Sequence, residues 1–389
     1  MKADDRPTLG LYIHIPFCVR KCPYCDFYSA KPKQGIEKRY IEALVRHIGQ
    51  AAAAVAGYDV DTVYFGGGTP TLLGAKALDT VLMAVRDHYR LRQDAEITTE
   101  CNPVTGSDDL FRGLAAAGFN RVSVGLQSAV DSELRALGRP HDFAAFRDTF
   151  RGLEAAGIRN LSVDVMFGIP GQTKESFGRT LAAVIAAEPT HVSAYGLRVE
   201  PGTPFAAAGD ALCLPDDDTM ADLQLLAAER LGAAGYTHYE VSNYARPGYA
   251  CRHNLRYWNG APYLGFGPGA QSYFDGERYA FLRDTDAYIA AAERDDLTSL
   301  VTGREVVDGK NAQDEYVMLR MRLFCGINEA DFEARFGVSF EKAYGPFERL
   351  IAAGYLCREA GRIRFTERGM YVSNAILSEW LDFGKGDKA

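Results

Sequence analysis

Residues 11–27 read LYIHIPFCVRKCPYCDF, an apolar, strand-like run that passes directly into a loop with Cys18, Cys22 and Cys25. Three thiols on one short loop can converge on one small object, and thiolates are soft ligands that suit iron–sulfur clusters or zinc. Structural zinc normally takes four ligands in two pairs, but the nearest later cysteine, Cys101, stands alone. The spacing therefore indicates a cluster with one open position. Incidental buried cysteines, or a zinc site completed by His14, are the alternatives.

The first strand begins a regular alternation of strand-like and helix-like segments. Between the strands lie amphipathic runs whose apolar spacing fits helices that end on glycine, which predicts βα units with parallel strands. Polar or glycine-rich residues follow several strands, at the edge where parallel sheets build their sites. An open doubly wound sheet would place them there too, so the strand count alone does not decide for a barrel. The six predicted strands are residues 11–16, 62–68, 96–102, 121–128, 161–168 and 191–199.

After about residue 300 the pattern changes to short helices, a hairpin-like stretch at 357–369 and a last helix. We predict a large α/β domain over residues 1–300 and a small helical, winged-helix-like module over residues 301–389. Residues 311–389 carry 11 Lys and Arg against 12 Asp and Glu. Such a module lacks the basic face that DNA recognition requires, and a lid or docking role fits it better.

The composition is that of a globular protein, with 47% hydrophobic and 24% charged residues among 389. A net charge of -8 gives no attraction to phosphate backbones, so nucleic acid is not an expected partner. The first ten residues hold no apolar core of a signal peptide, and no stretch approaches a membrane span. We therefore expect a cytoplasmic protein without membrane insertion. In that reducing compartment eight cysteines do not form a disulfide framework.

The motif formed by Cys18, Cys22, Tyr24 and Cys25 resembles the signature of the radical S-adenosylmethionine superfamily. The wider string at 11–27 is similar to a subgroup that contains the oxygen-independent coproporphyrinogen III oxidases and the HemW-type heme chaperones. The resemblance implies a partial (β/α)6 barrel and a 4Fe-4S cluster on the three cysteines, with S-adenosylmethionine at the open iron. It also implies that the reduced cluster can cleave this ligand to methionine and a 5'-deoxyadenosyl radical.

The same resemblance assigns residues to the S-adenosylmethionine shell, and residue chemistry agrees with it. Glu100 and Asp164 are carboxylates inside apolar strands, where burial is costly unless they accept hydrogen bonds. Arg139 can clamp a carboxylate. A satisfied buried polar group is the alternative for each of them. By resemblance, Tyr12, Tyr24, Gly67 and Glu100 meet one S-adenosylmethionine, and Gly68, Thr69, Gln127, Arg139, Asp164 and, by position only, Gly196 surround a second one in the oxidases.

Two features separate the chaperones from the oxidases. Phe27 stands where the oxidases carry a fourth cysteine, and only seventeen residues precede Cys18. Residues 253–258 read HNLRYW and resemble the HNxxYW motif that HemW-type proteins associate with heme binding. His253 is thus a candidate axial ligand of heme iron, with a packed, hydrogen-bonded histidine as the alternative. Cys251, two residues earlier, is the one scattered cysteine near that motif.

The function implied is that of a chaperone, which binds heme and transfers it to an acceptor protein. The acceptor is not named by the sequence, and peripheral contact with a membrane-bound acceptor stays open. The alternative is an oxygen-independent coproporphyrinogen III oxidase that converts propionates to vinyl groups. A radical enzyme acting on another tetrapyrrole is a third, weaker reading.

Overall fold

A computed structural model describes residues 6–381 and has six parallel strands at its centre. Neighbours in sequence are neighbours in space, so the order in this part of the sheet is 1-2-3-4-5-6. The middle strands are buried at nearly every position, as expected where helices cover a parallel sheet. The strands are β1 (Thr8–Ile15), β2 (Asp59–Gly67), β3 (Arg90–Cys101), β4 (Arg121–Gln127), β5 (Asn160–Phe167) and β6 (His191–Gly196).

Helices occupy each crossover between these strands, which confirms the predicted βα alternation. Local sequence sets their ends. The Ser107 hydroxyl accepts from the Leu110 N–H at the start of the third helix, and Gly118 ends it in the left-handed conformation. Thr173 and Ser176 form a capping box at the start of the sixth. The helices are α1 (Ile36–Ala51), α2 (Ala75–His88), α3 (Asp108–Ala117), α4 (Asp131–Ala136), α5 (Phe143–Ala155) and α6 (Lys174–Ala186).

The sheet extends beyond the six predicted strands at both edges. After α7 (Pro204–Ala208) and α8 (Asp217–Ala233), β7 (Thr237–Glu240) and β8 (Asn243–Ala245) add an antiparallel pair beside β6. After α9 (Arg252–Trp258), the strand β9 (Tyr263–Phe266) runs parallel to β1. The edge then continues through β10 (Gln271–Phe274) and β11 (Glu277–Phe281), followed by α10 (Thr285–Glu293) and β12 (Val301–Val306).

In the twelve-stranded sheet β1 pairs with β9 and β6 pairs with β8, so β1 and β6 are not neighbours. Within residues 6–381 the sheet is therefore open. The predicted α/β class with a parallel six-stranded core is confirmed. The added strands are only three to six residues long, too short for a periodic pattern to reveal them. In the same described range, no helix combines the length and the apolar character that crossing a bilayer needs.

The C-terminal part has its own small sheet of three strands, with the last of them in the chain lying in the middle, and its own apolar cluster around Phe332 and Phe340. The hairpin predicted at 357–369 is present. The strand β12 lies past residue 300 but belongs to the large sheet, and a division near residue 300 stays a prediction. The elements are α11 (Gly309–Arg320), β13 (Ile327–Asn328), α12 (Glu329–Phe336), α13 (Phe340–Tyr344), α14 (Glu348–Ala352), β14 (Leu356–Glu359), β15 (Arg362–Phe365), α15 (Glu367–Tyr371) and α16 (Ser373–Trp380).

We expect Phe340→Ala to destabilise this C-terminal cluster by about 3–5 kcal/mol, because the ring is fully buried and its loss leaves a cavity. The ring packs against Phe332 and Trp380, with centroids 5.1 and 6.2 Å away. Urea unfolding followed by fluorescence measures the change. Val306→Ala, at a side chain that is 56% exposed, is the control. A loss below about 1 kcal/mol for Phe340→Ala would contradict the packing described here.

Candidate functional site

The cysteine loop leaves β1 and is closed on itself by backbone hydrogen bonds. The Cys18 N–H donates to the Ala30 carbonyl over 3.0 Å, next to a parallel bridge between Phe17 and Ala30. Inside the loop, the Cys25 N–H donates to the Cys22 carbonyl over 3.1 Å. This closure brings the three predicted cysteines to the wall of one cavity at the carboxyl ends of the strands.

Two side chains from other elements reach the sulfur atoms. Thr69 Oγ1 lies 3.6 Å from Cys18 Sγ, and Arg139 Nη1 lies 3.8 Å from Cys22 Sγ. Donors at these positions would tune a metal bound to the two sulfur atoms. Burial raises the pKa of Cys25, and the two other thiols raise it further. The three sulfur atoms are therefore close enough to interact electrostatically, and a metal bound to them would favour their ionised form.

Residues 6–381 contain no group of three His, Cys, Asp or Glu side chains drawn together around a single ion. In a multi-iron cluster each thiolate binds a different iron atom, so its ligands stand farther apart than the ligands of one ion. The three thiols share one cavity wall and are the ligand type of an iron–sulfur cluster.

A glycine turn at the end of β2 is joined to the cysteine loop. The Gly68 N–H donates to the Ile15 carbonyl over 2.8 Å, and the Thr69 N–H to the Phe17 carbonyl over 2.7 Å. Gly67 has a φ of 106°, a conformation that favours glycine. The turn thus presents bare backbone to the cavity.

We expect Gly67→Ala to disrupt this turn, because an added Cβ would overlap the His14 imidazole and the positive φ is strained for alanine. The expected loss of stability is about 1–3 kcal/mol, together with weaker ligand binding in the cavity. Gly57→Ala is the matched control, since its Cβ would meet nothing within 4 Å. Thermal unfolding of both variants measures the difference. Equal melting temperatures would show that the turn tolerates a side chain.

Glu100 and Asp164, on β3 and β5, face the same cavity, with β4 between them. The Tyr64 hydroxyl donates to Glu100 Oε1 over 3.0 Å, and the Gly67 N–H to Oε2 over 3.2 Å. The Ser123 hydroxyl donates to Asp164 Oδ1 over 2.9 Å. Burial, with the charge of Asp164 as the next cause, raises the pKa of Glu100 to about 7. Burial also raises the pKa of Asp164. A cationic or hydrogen-bond-donating ligand would favour the ionised form of both carboxyls.

Arg139 and Gln127 complete the far wall. Arg139 Nη2 donates to the Gly125 carbonyl over 2.9 Å, while its Nε is buried without a hydrogen-bond partner. Gln127 has a φ of 71°, unusual for a residue other than glycine, and its Oε1 accepts from the Tyr195 hydroxyl over 2.8 Å. The predicted residues that line this one cavity are Cys18, Cys22, Tyr24, Cys25, Gly67, Gly68, Thr69, Glu100, Gln127, Arg139 and Asp164.

Tyr12 and His253 line an adjoining cavity that shares Glu100 and Asp164 with the first. Nδ1 of His253 is 2.9 Å from Thr62 Oγ1, and its Nε2 is 2.8 Å from the Tyr257 hydroxyl. Burial lowers the pKa of His253 to about 3, so its ring is neutral. Coordination of iron by Nε2 would require its hydrogen bond with the Tyr257 hydroxyl to break. Ligation by His253 stays a prediction.

Several lining residues were not predicted from the sequence, namely Tyr64, Arg121, Ser123 and Tyr195. For Tyr64, Arg121 and Ser123 the sequence did contain a pattern that could have indicated them. Glu96, Thr98 and Glu100 alternate along β3, Arg121 and Ser123 alternate along β4, and Tyr64 lies between apolar residues of β2. Polar side chains with a period of two inside apolar strands mark the inner face of the sheet.

Comparison with known proteins agrees with this geometry. The family model of the radical SAM superfamily matches residues 12–184, and that of the HemN C-terminal domain matches residues 307–372. The heme chaperone HemW of Mycobacterium tuberculosis (strain ATCC 25618 / H37Rv) is 38% identical over 380 residues, covering 96% of this chain and 94% of its own. The heme chaperone HemW of Escherichia coli (strain K12) is 36% identical over 381 residues, with 96% and 98% covered.

Among solved structures, the radical SAM enzyme coproporphyrinogen III oxidase (HemN) from Escherichia coli matches with a TM-score of 0.84 at 23% identity. The match covers 97% of this chain and 91% of that one. At this identity the match shows a shared fold. The full-length similarity to the curated relatives shows more: this chain belongs to the family of the HemW heme chaperones, within the radical SAM superfamily.

Proposed function

We propose that this protein is a heme chaperone that binds heme and transfers it to an acceptor protein in the cytoplasm. It would carry a 4Fe-4S cluster on Cys18, Cys22 and Cys25, with S-adenosylmethionine at the open iron. The observation that carries the proposal is the cysteine loop itself. It presents three thiols to a cavity with two buried carboxyls. Phe27, which lines the same cavity and is 67% exposed, stands where the oxidases carry a fourth cysteine.

The residues present fit the cluster. Three thiols share one wall, Thr69 and Arg139 direct donors at two of the sulfurs, and the Arg139 Nε is left without a protein partner. A reduced cluster of this kind supplies a single electron to a sulfonium ligand. The protein's own part is to hold the thiolates, exclude water and position the ligand.

The S-adenosylmethionine shell follows from the donors and acceptors around the cavity. Glu100 would accept from the ligand's ammonium group, and the bare backbone at Gly67 would let the amino acid moiety approach. The Arg139 guanidinium would donate hydrogen bonds to a ligand carboxylate. Tyr24, whose ring lies 6.1 Å from that of Phe205, would pack against the adenine. Asp164 would accept from hydroxyl or amine donors of a second ligand molecule.

The test is an anaerobic comparison of two activities on reconstituted protein. One arm measures heme uptake and its transfer to an apo-acceptor, such as an apocytochrome, by absorption spectroscopy. The other arm supplies coproporphyrinogen III with reductant and measures vinyl products and released carbon dioxide. We expect stoichiometric heme uptake and no decarboxylation. Propionate decarboxylation without heme transfer would contradict the proposal and support the oxidase.

His253→Ala belongs in the same experiment. Loss of heme uptake with the cluster retained would support His253 as a heme ligand. Unchanged uptake and an unchanged heme spectrum would remove His253 from the heme site without touching the chaperone proposal. Bound iron, sulfide and the thermal unfolding curve are measured in parallel, because His253 also holds Thr62 and Tyr257.

A further inference from the structure

The adjoining cavity that contains His253 holds a buried cation that the proposed cofactor chemistry does not use. This cavity, here called the interior cavity, measures about 310 Å³ and is lined by Tyr64, Arg121, Asn243 and His253, among others. Arg121 extends from the first position of β4 and is only 2% exposed. A charged side chain at that depth is costly unless it is paired.

Arg121 forms no direct ion pair in residues 6–381, although Glu96, Glu100 and Asp164 lie close enough to interact with it electrostatically. Its Nε is buried without a hydrogen-bond partner, and no carboxylate oxygen of residues 6–381 lies within 4.0 Å of its guanidinium. The nearby carboxyls have partners of their own. Glu96 accepts from backbone N–H groups at the start of α9, Asp164 from Ser123, and Glu100 from a tyrosine hydroxyl.

The same region carries further unmatched polar atoms. Asn243 Oδ1 and Thr98 Oγ1 are buried without hydrogen-bond partners, and Thr98 pairs with Arg121 in the β3–β4 register. Buried polar atoms are nearly always satisfied in native proteins, by the protein, by water or by a ligand. The unpartnered Arg121 Nε–H and Thr98 hydroxyl can both donate, which indicates a site for an anionic, oxygen-bearing group. Asn243 Oδ1 can only accept, so it calls for a donor such as water.

Aromatic side chains lie between this cavity and a neighbouring one. Tyr12, Phe27 and Tyr257 line both the interior cavity and a second cavity of about 390 Å³, which is also walled by Tyr263. The Tyr257 and Tyr263 rings meet edge to face, with centroids 4.6 Å apart. Two neighbouring cavities that share these aromatic walls suit a large planar ring, and the guanidinium of Arg121 in one of them suits a carboxylate attached to that ring.

We propose that Arg121 anchors a carboxylate of a bound tetrapyrrole in the interior cavity, with the ring held among Tyr12, Phe27 and Tyr257. This inference rests on the proposed heme-binding function and adds to it the position and the charge partner of the ligand. A guanidinium binds a carboxylate through two parallel hydrogen bonds, which would fix the orientation of the ring. The carboxylate of an amino acid ligand, such as S-adenosylmethionine, has the same chemistry, so the test separates the two sources.

The first arm needs no variant. Wild-type protein is titrated with heme and with heme dimethyl ester, whose carboxylates are blocked, and the dissociation constants are compared. We expect the ester to bind at least about tenfold more weakly, because a buried guanidinium then stays unpaired. Equal affinities would overturn the anchor. Failure of the wild type to bind heme at all would instead contradict the proposed function, and the anchor with it.

The second arm removes the charge. Arg121→Gln is expected to bind heme and its ester equally, at the weaker affinity, while Arg121→Lys keeps part of the preference. Arg320→Gln is the matched control, since Arg320 also has a buried, unpartnered Nε but lies on α11, away from the interior cavity. Circular dichroism and thermal unfolding establish that the variants fold. Should Arg121→Gln fail to fold, the wild-type comparison still decides the question.

S-adenosylmethionine affinity of Arg121→Gln is measured alongside at pH 8.5, where loss of the Arg121 charge has least effect on the ionisation of Glu100, and is expected to be unchanged. Loss of S-adenosylmethionine binding with heme preference retained would assign Arg121 to the amino acid carboxylate and overturn the inference. Retention of the heme preference in Arg121→Gln, whatever its S-adenosylmethionine affinity, would do the same.

Discussion

Replacing Cys18, Cys22 or Cys25 by serine is expected to reduce bound iron and acid-labile sulfide by more than about tenfold after anaerobic reconstitution. Changes beyond the ligand shell already cost 10–100-fold in metal affinity, and loss of a ligand removes an iron–sulfur bond outright. Iron and sulfide are measured chemically, and the cluster by its visible absorption. The three sites should respond alike, because all three thiols line one cavity wall.

Cys213→Ser is the control for these variants, since Cys213 is an exposed free cysteine outside the cavity. It should keep the full iron content. Retention of the cluster in any one of the three loop variants would show that the remaining cysteines, or another donor, complete the site. A single bound metal with no sulfide in the wild type would contradict the cluster and restore the zinc alternative.

Glu100→Gln is expected to weaken S-adenosylmethionine binding about 10- to 100-fold at pH 8, because a hydrogen bond to an ionised group contributes roughly 1.5–3 kcal/mol. The pH dependence should change as well. Burial raises the pKa of Glu100 to about 7, so at pH 6 the carboxyl must lose a proton before it can accept from an ammonium group. Wild-type affinity should therefore rise about fivefold between pH 6 and 7, about tenfold in all between pH 6 and 8, and level off above pH 8.

In Glu100→Gln this titration should be absent and the affinity flat. Isothermal titration calorimetry across pH 6–8.5 measures both quantities. A wild-type affinity that falls as pH rises through 7, or a Gln variant that keeps the wild-type profile, would contradict the role given to Glu100.

The same carboxyl has a predictable effect on the stability of the ligand-free protein. In the folded protein the pKa of Glu100 lies above its ordinary value of 4.5. The stability that this carboxyl contributes is therefore fully present below about pH 4.5 and is lost as pH rises through 7. Glu100→Gln should thus gain stability relative to wild type at pH 8. Glu240→Gln is the matched control, because burial also raises the pKa of Glu240 to about 7, outside the S-adenosylmethionine cavity. It should show the stability change with S-adenosylmethionine affinity intact.

The sequence alone determined the parallel core and the cluster loop, because both depend on local patterns. Strands alternate with amphipathic helices over long segments, and the three cysteines lie within eight residues of one another. Glu100 and Asp164 could also be singled out, since a carboxylate in an apolar strand needs a partner. The extra strands at the two sheet edges could not be found, because short strands derive their stability from neighbours distant in the chain.

Only the tertiary structure decided the environment of each side chain. The sequence alone does not show what the His253 imidazole contacts. In the folded protein both of its ring nitrogens lie within hydrogen-bonding distance of a hydroxyl, one of Thr62 and one of Tyr257. Arg121 is one arginine among many in the sequence, and its unpaired burial depends on where Glu96 and Asp164 direct their oxygens. Hydrogen-bond pairing and desolvation are set by atoms that meet only after folding, because strands far apart in sequence build the same cavity.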